Sequence, residues 1–419
     1  MQVSISAPKY IDSVITLPAS KSISNRALII NALAGSDCVP ENLSCCDDTD
    51  VTIAALRDMP YEINIKACGT AMRFLTAYLS STPCGEHVIT GTERMKHRPI
   101  GLLVDAMRNL GADITYLAEE GFPPLKIVGR HLDGGHISVP GHISSQFISA
   151  LLMVGPVFTN GLTIHLTSEI ISRPYIDLTI CTMQEFGAEV EWVDAATIAI
   201  KPKPYKAVPF IIENDWSAAS YWYEILALQE RVADAEHEGL GKVVLPGLLD
   251  GSRQGDSSIR YIFSMLGIKT RLEDNAAILT PHKRTLPRLD IDFVSHPDLA
   301  QTVVVATALM NIPFRFTGLK SLRIKETDRI TALKAEIAKL GYVLDDSQEG
   351  VLSWDGTKCE PMAEPVIDTY EDHRMAMAFA PACIMFPGLK IDNPGVVSKS
   401  YPNFWNDLKK VGFQIEEIC

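Results

Sequence analysis

The sequence predicts an α/β protein of two similar domains, each made of three βαβαββ repeats that contain buried helices. A helical pattern that ends in a glycine and continues into an alternating strand recurs along the chain. A second, more apolar helix with small residues lies between the copies, and a helix that is apolar on most faces is a buried one. The length of 419 residues also exceeds one ordinary core, since domains average roughly 150 residues.

The composition is that of a folded, soluble protein, with 47% hydrophobic and 21% charged residues. Lys and Arg number 38 against 51 Asp and Glu, which gives a formal net charge of -13. This balance disfavours a protein whose main task is to wrap nucleic acid or to lie on anionic lipid. We therefore expect neither nucleic acid nor a membrane as partner, whereas a local basic pocket for a small anion stays compatible with the charge.

The cysteines and the opening residues predict a reducing, cytoplasmic location. The nine Cys include no C-x-x-C pair and no Cys/His cluster at zinc spacing, so we expect no metal site. The first residues lack the basic and apolar regions of a signal peptide. The most apolar stretches, such as residues 302–310, are about half as long as the roughly 20 residues that span a bilayer.

Five copies of the first helical pattern end at a glycine, and these glycines are 71 to 80 residues apart. They are Gly111, Gly187, Gly267, Gly341 and Gly412. Each is predicted to end its helix with a positive φ, which costs glycine little. A sixth, shortened copy begins at Val51 and has Pro60 where the glycine would stand.

The six buried helices share polar first turns. These turns carry Ser20, Lys21 and Ser22; Gly69 and Thr70; Ser144, Ser145 and Gln146; Asp215; His296, Pro297 and Asp298; and Asp372, His373 and Arg374. Helix N-termini present unpaired N–H groups and partial positive charge, so several that converge make an anion site. Ser, Thr and Asp are each explained as N-caps, but capping does not account for Lys21, Arg26, Gln146 or Arg374.

Three cationic segments stand out in this acidic chain. They are GTERMKHRPIG with Arg94, Lys96 and Arg98, LRIKETDR with Arg323, Lys325 and Arg329, and VSKSYP with Lys399. A solvated face is the alternative account of each, although Arg suits a two-pronged grip on phosphate or carboxylate. The acids inside LRIKETDR indicate proton transfer beside a bound anion. Neither a P-loop nor a G-x-G-x-x-G motif occurs, so the anion is not expected to be a nucleotide.

A domain boundary is predicted near residues 212–215, after the stretch KPKPYKAVP and before the fourth buried helix. The opening strand, up to about Pro18, could belong to either half.

Nine segments then identify a resemblance that runs in order through residues 17–404. They are LPASKSISNRAL, CGTAMRFL, RMKHRPIG, SSQF, SRPYIDLT, SHPDLAQT, LRIKETDRI, DTYEDHRMAM and VSKSYPNF. In these segments the chain resembles the EPSP synthase (3-phosphoshikimate 1-carboxyvinyltransferase) family. The resemblance implies an enolpyruvyl transferase-like inverse α/β barrel in each domain, with two crossovers and the active site in the interdomain cleft. The domains would be residues 1–18 with 214–419, and residues 19–213.

The family reaction transfers the carboxyvinyl group of phosphoenolpyruvate to the 5-hydroxyl of shikimate 3-phosphate and releases phosphate, without cofactor or metal. The resemblance assigns shikimate 3-phosphate to Lys21, Ser22, Arg26, Ser144, Ser145, Gln146, Ser172, Asp298 and Lys325. It assigns phosphoenolpyruvate to Lys21, Gly69, Arg98, Gln146, Arg329, Arg374 and Lys399. Asp298 and Glu326 would handle the protons, with Lys21 as a further catalytic group. His373 would at most orient Glu326, and a monomer is expected.

The chain departs from the family pattern at several points. The first repeat is short by about a hairpin, Ala67 and Cys68 precede Gly69 where Asn-Ala is usual, and Ser321 stands where many members have Asn. Two rival functions stay open. A UDP-N-acetylglucosamine enolpyruvyl transferase typically carries a Cys in the loop that corresponds to residues 94–98, and this chain has none there. A non-catalytic anion-binding relative would have no need of the acids at Asp298 and Glu326.

Overall fold

A computed structural model describes residues 1–284 and 286–418, which form two compact units. The terminal unit combines Met1–Pro18 with the chain from Glu213 onward, and the central unit is Ala19–Ile212. The sequence placed Glu213 in the central domain. It lies in the terminal unit because its carboxylate accepts hydrogen bonds from Trp216 Nε1, Ser252 Oγ and Gln254 Nε2 of that unit.

The elements follow in chain order. The terminal unit opens with β1 (Gln2–Ser6) and β2 (Asp12–Val14). The central unit contains α1 (Lys21–Leu33), α2 (Asp47–Asp58), β3 (Glu62–Asn64), α3 (Gly69–Ser81), β4 (Glu86–Thr90), α4 (Glu93–Lys96), α5 (Gly101–Asn109), β5 (Asp113–Tyr116), β6 (Leu125–Val128), β7 (Gly135–Val139), α6 (Ser145–Val154), β8 (Leu162–Leu166), α7 (Arg173–Glu185), β9 (Val190–Trp192) and β10 (Thr197–Ile200).

The terminal unit resumes with α8 (Trp216–Val232), β11 (Lys242–Pro246), α9 (Ile259–Met265), β12 (Ile268–Glu273), β13 (Ala276–Pro281), β14 (Leu289–Asp292), α10 (Ala300–Leu309), β15 (Phe314–Thr317), α11 (Arg329–Lys339), β16 (Leu352–Trp354), β17 (Val366–Ile367), α12 (His373–Phe379), β18 (Leu389–Asp392), α13 (Phe404–Lys410) and β19 (Gln414–Ile418). Short 3-10 turns precede α10 at Pro297–Leu299, follow α12 at Ala380–Ile384, and cover Lys320–Ile324 and Pro394–Lys399.

Every sheet pairs two strands in parallel and adds antiparallel partners, as a βαβαββ repeat requires. In the central unit the strand orders are β3-β4-β6-β5 and β7-β8-β10-β9, with β3 and β7 parallel to β4 and β8. In the terminal unit the orders are β12-β13-β11-β2, β14-β15-β16 and β17-β18-β1-β19. The first strand of the chain, β1, thus pairs antiparallel with both β18 and β19.

The predicted buried helices are confirmed as α1, α3, α6, α8, α10 and α12. Every residue of α10 and of α12 is buried, and the small side chains of Ala300 and Ala376 allow close packing around them. Each unit has its own apolar core around three of these helices. Among the described helices, none combines the length and the hydropathy that a bilayer crossing demands.

The predicted cap glycines are confirmed, since all five have φ between +85° and +99°. The shortened first repeat ends differently. There α2 ends at Asp58 and Met59 takes the left-handed position with φ 39°, one residue before Pro60. Between residues 19 and 60, all of which are described, no strand forms; Glu41 makes only an isolated parallel bridge with Ile211. The shortened first repeat therefore contributes the helices α1 and α2 but no strand to the sheets of the central unit.

Candidate active site

The start of α1 presents a lysine that is held by a buried acid. Lys21 Nζ lies 3.0 Å from Asp48 Oδ2 in the first turn of α2, and 17% and 5% of the two side chains are exposed. The sequence analysis did not identify Asp48, because an acid in the first turn of an amphipathic helix is expected from the helix dipole alone. The ion pair fixes the ammonium group of Lys21 at the N-terminus of its helix.

Arg26, one turn further along α1, is enclosed by the central unit. Four of its N–H groups donate to the hydroxyls of Thr179 and Ser149 and to the carbonyls of Ser22 and Tyr175. Its guanidinium also lies 5.4 Å from the centre of the Phe74 ring, and burial lowers its pKa to about 10. A guanidinium has five N–H groups, so Arg26 retains one for a ligand and chiefly ties α1 to α6 and α7.

Two guanidinium groups converge on Gly69, the first residue of α3. A methyl group on its Cα would lie 2.6 Å from Nη1 of Arg73 and 2.6 Å from Nη1 of Arg98. Arg73 donates to the carbonyls of Gly69 and Pro99 at 2.9 and 3.1 Å. Arg98 Nε is buried and has no hydrogen-bond partner in residues 1–284 and 286–418. Two cations at a helix N-terminus form an anion site, and a side chain at position 69 would obstruct it.

The start of α6 is hydrogen-bonded to the start of α3. The Ser144 hydroxyl caps α6 by accepting from Gln146 N at 3.4 Å, so its oxygen serves the helix as well as any ligand. Gln146 Nε2 donates to Thr70 Oγ1 at 3.1 Å, which joins the first turns of α6 and α3. Ser145 is buried beside it.

Ser172 precedes α7 in a left-handed conformation with φ 54°, and its hydroxyl makes no capping hydrogen bond. Non-glycine residues adopt this conformation at an energetic cost, and such residues are enriched at functional sites. The strained backbone therefore supports a role for Ser172 beyond starting the helix.

In the terminal unit, Arg329 binds three carboxylates at once. Its Nε lies 2.6 Å from Asp372 Oδ2, its Nη1 lies 3.0 Å from Asp298 Oδ1, and its Nη2 lies 3.0 Å from Glu326 Oε2. Only 2% of the Arg329 side chain is exposed. Burial lowers the pKa of Arg329, but the opposite charges of Asp372, Glu326 and Asp298 have the larger effect and raise this pKa above its ordinary value.

Asp298 lies among cations in the turn that leads into α10. Arg374 Nη2 donates to its Oδ2 at 3.0 Å, and Lys325 Nζ lies 3.5 Å from its Oδ1. Burial favours the neutral acid, but Arg374, Lys325 and Arg329 outweigh burial and hold the pKa of Asp298 well below its usual range. The carboxylate form of Asp298 is thus favoured, and 22% of its side chain is exposed to solvent.

Glu326 has a cation on each oxygen. Lys399 Nζ donates to Oε1 at 2.9 Å, and Arg329 Nη2 donates to Oε2 at 3.0 Å. His373 lies with its Nδ1 3.6 Å from Asp372 Oδ1 and is buried, so its described contact is with the cap of α12. Together the cluster holds three carboxylates and four cations, which leaves it with net positive charge.

In the terminal unit the structure brings six predicted residues together, and these are Asp298, Lys325, Glu326, Arg329, Arg374 and Lys399. In the central unit it joins the starts of α3 and α6 through Gly69, Arg98 and Gln146, with Ser144 and Ser145 beside Gln146. Lys21 and Ser22 lie at the start of α1, where Lys21 pairs with Asp48, and Arg26 and Ser172 make the separate contacts described above. The sequence missed Asp48 and Arg73, and it treated Asp372 only as a cap. An acid or base buried in a helix carries no local sequence signal of its partner, which the fold alone supplies.

Known proteins resemble this chain over its whole length. A family model described as EPSP synthase (3-phosphoshikimate 1-carboxyvinyltransferase) matches residues 5–66 and 59–408. A protein from Bacteroides fragilis named 3-phosphoshikimate 1-carboxyvinyltransferase is 58% identical over 416 residues, which cover 99% of each chain. One of the same name from Shewanella halifaxensis is 34% identical over 435 residues, or 97% of this chain and 98% of its own.

Solved structures share the fold at lower identity. An EPSP synthase from Acinetobacter baumannii is 22% identical with a TM-score of 0.75, covering 99% of this chain and 100% of its own. The enolpyruvyl transferase NikO from Streptomyces tendae is 16% identical with a TM-score of 0.71, covering 99% and 98%. The fold of two α/β domains predicted from the repeats is confirmed by these neighbours.

Proposed function

The chain belongs to the EPSP synthase family, whose members act as 3-phosphoshikimate 1-carboxyvinyltransferases in aromatic amino-acid biosynthesis, and we propose that its two residue sets perform that reaction. The substrates are phosphoenolpyruvate and shikimate 3-phosphate, and the products are 5-enolpyruvylshikimate 3-phosphate and phosphate. One observation supports the assignment of roles above all others. Arg329 forms ion pairs with both Asp298 and Glu326, which places the two acids in a cluster of net positive charge.

Charge neutralisation is the first requirement of the reaction. Phosphoenolpyruvate is a dense anion that must approach a second phosphate, so several cations have to offset the repulsion between them. We assign phosphoenolpyruvate to Lys21, Gly69, Arg98, Gln146, Arg329, Arg374 and Lys399. The two guanidinium groups that converge on Gly69 support this assignment, because they add positive charge at the N-terminus of α3.

We assign shikimate 3-phosphate to Lys21, Ser22, Arg26, Ser144, Ser145, Gln146, Ser172, Asp298 and Lys325. The serine hydroxyls and helix N-termini supply phosphate donors, and the strained Ser172 supports a ligand contact there. Arg26 contributes least directly, since four of its five N–H groups already serve the fold.

Asp298 takes the proton of the 5-hydroxyl in the addition step. The hydroxyl oxygen then bonds to carbon 2 of phosphoenolpyruvate, and carbon 3 receives a proton to become a methyl group. An ionised carboxylate is the form that accepts a proton, and the low pKa of Asp298 ensures that form. Lys325 and Arg374 are also assigned to the substrate anions, so bound substrate weakens their attraction for the Asp298 carboxylate. The pKa of Asp298 then rises, which makes it a stronger base.

Glu326 supplies the proton to carbon 3 and takes one back from the methyl group as phosphate leaves. Its pairing with Lys399 and Arg329 favours the carboxylate, which suits the second, proton-accepting step. The first step needs the protonated acid, and substrate anions that engage the same two cations weaken their hold on the carboxylate. Once Glu326 has given its proton to carbon 3, it is again the carboxylate that can accept one from the methyl group.

Phosphate release from phosphoenolpyruvate tests this function against its rivals. We expect release with shikimate 3-phosphate and none with UDP-N-acetylglucosamine. Release with the nucleotide sugar alone would assign the chain to the related transferase, and release with neither would make it a non-catalytic anion binder. Glu326→Gln serves as the control for contaminating activity.

We further propose that the protein acts as a monomer in the cytoplasm. The resemblance to the family supports the monomer, and the absence of C-x-x-C pairs among the nine cysteines supports a reducing compartment. Light scattering of the purified protein at several concentrations tests the first part, and a concentration-dependent mass would contradict it.

A further inference from the structure

Two consecutive strained residues stand directly before the catalytic-site helix α12. Tyr370 has φ 52° and Glu371 has φ 56°, and Asp372 follows as the cap of α12. Non-glycine residues rarely adopt the left-handed conformation, and two in succession persist only where the surroundings hold them. The turn leads directly into α12, whose Arg374 Nη2 donates to Asp298 Oδ2 at 3.0 Å.

One face of α11 contacts the chain both before and after the strained residues Tyr370 and Glu371. Arg329 and Glu336 are seven residues apart, which is close to two helical turns, so both side chains leave the same face. Arg329 grips Asp372 after the strained pair with its Nε 2.6 Å from Oδ2. Glu336 binds the segment before the strained pair and the first residue of the pair. Its Oε2 accepts from Asp368 N at 3.0 Å, and its Oε1 accepts from the Tyr370 hydroxyl at 2.7 Å.

The second grip is built from a fully buried acid. The Glu336 side chain is 0% exposed, and its charge is balanced by Lys339 Nζ at 2.6 Å. Lys339 also donates to the carbonyl of Val366 at 2.8 Å, so the pair binds the segment that leads to the turn at one more point. A buried, fully hydrogen-bonded carboxylate makes a rigid contact, because moving any donor leaves a charge unsatisfied.

We propose that Glu336 and Tyr370 are positioning residues for the phosphoenolpyruvate-binding groups, and this rests on the function proposed above. Their hydrogen bond keeps the strained turn in the one conformation that aims Arg374 at Asp298 and Asp372 at Arg329. Neither residue acts on the substrate itself. Loss of the bond lets the turn relax, and the guanidinium of Arg374 is then spread over several positions.

The test compares Tyr370→Phe and Glu336→Gln with the matched control Tyr223→Phe. Tyr223 lies in the same unit and its hydroxyl bonds Thr270 Oγ1 at 2.7 Å, so the control also loses one buried hydrogen bond. We expect the two variants to raise the KM for phosphoenolpyruvate on the order of tenfold, since a hydrogen bond to a charged group is lost. The KM for shikimate 3-phosphate should stay within about twofold, because most of its assigned donors lie in the central unit. The control should change neither constant.

The double variant should raise the KM for phosphoenolpyruvate no more than the larger single change, since both residues share one interaction. Equal increases in both Michaelis constants, or a control that behaves like the variants, would overturn the proposal and leave a general stability effect. Unchanged constants in both variants would overturn it as well.

A second readout separates this inference from the proposed function. Amide hydrogen exchange at residues 372–376 should quicken in Tyr370→Phe and Glu336→Gln while exchange in the central unit stays as in the wild type. This measurement needs no turnover. If the wild type lacked carboxyvinyl transfer, faster exchange would still establish the positioning of the turn, whereas unchanged exchange would refute it.

Discussion

Arg329 and Asp372 form an ion pair from which water is excluded, with Nε 2.6 Å from Oδ2 and side chains that are 2% and 0% exposed. Asp372 also caps α12 by accepting from Arg374 N at 2.9 Å. The pair therefore fixes Arg329 relative to the helix that carries Arg374, and the remaining nitrogens of Arg329 are directed at Asp298 and Glu326. Removing one partner of a buried ion pair destabilises the folded state, because the other charge is left uncompensated. The pair therefore keeps Arg329 in place beside the two acids that are proposed to transfer protons.

Glu326→Gln should keep substrate binding and lower kcat on the order of 10²-fold or more. The amide preserves the size and part of the hydrogen bonding to Lys399 and Arg329, but it carries no transferable proton. Steady-state kinetics at saturating substrates measure the loss. Asp328→Asn is the matched control, because Asp328 caps α11 and Asn caps equally well. A kcat within a few-fold of the wild type would remove Glu326 from the proton transfers.

Gly69→Ala should weaken the use of phosphoenolpyruvate more than that of shikimate 3-phosphate. The added methyl group would lie 2.6 Å from Nη1 of both Arg73 and Arg98, so both guanidinium groups must move. We expect the KM for phosphoenolpyruvate to rise on the order of tenfold. Gly395→Ala is the control, since a methyl group there meets nothing within 4 Å. Equal effects on the two Michaelis constants would reduce Gly69 to an ordinary helix start.

Cys68→Ala should retain activity but lose some stability. Cys68 Sγ accepts from Ala71 N at 3.3 Å and so caps α3, and the loss of a cap costs about 0.5–2 kcal/mol. Cys68→Ser should recover the cap, which thermal unfolding of the three proteins can show. We expect none of the nine cysteines to act in the chemistry, although Cys419 lies outside the described residues. Substrate-protected inactivation by a thiol reagent that persists in Cys68→Ala would contradict this expectation.

Glu224→Met should stabilise the terminal unit, by about 1–3 kcal/mol at neutral pH. Glu224 lies within α8 at 0% exposure, and neither carboxylate oxygen has a hydrogen-bond partner in the described part of the chain. Burial raises its pKa well above the ordinary 4.5, so the folded state keeps a proton that the unfolded state releases. The contribution of Glu224 to stability is therefore lost progressively as pH rises above about 4.5 towards the folded pKa.

The pH dependence distinguishes this effect from simple repacking. The gain in Glu224→Met over the wild type should grow between pH 4.5 and 8, whereas Glu224→Gln should match the wild type near pH 4.5 and exceed it only at higher pH. Urea unfolding at several pH values measures both. A constant difference between Glu224→Met and the wild type would mean that Glu224 has a partner in the folded protein.

The sequence by itself determined the repeats, because a period of 3.6 with a closing glycine and a period of 2 are local patterns. The helices α5, α7, α9, α11 and α13 each end two residues before a predicted glycine with positive φ, and the six apolar helices are buried. It also determined which residue types could serve an anion, since capping does not account for Lys21, Arg26, Gln146 or Arg374 at the starts of the buried helices.

Only the tertiary structure decided the partners of those residues. The contacts of Lys21 with Asp48, of Gly69 with Arg98 and of Tyr370 with Glu336 join different segments of the chain, and such contacts leave no pattern in either segment. The same holds for Arg26, whose cationic side chain suggested a ligand but four of whose five N–H groups donate within the fold. Charge can be read from a sequence, but which opposite charge compensates it depends on distances that only the packed chain sets.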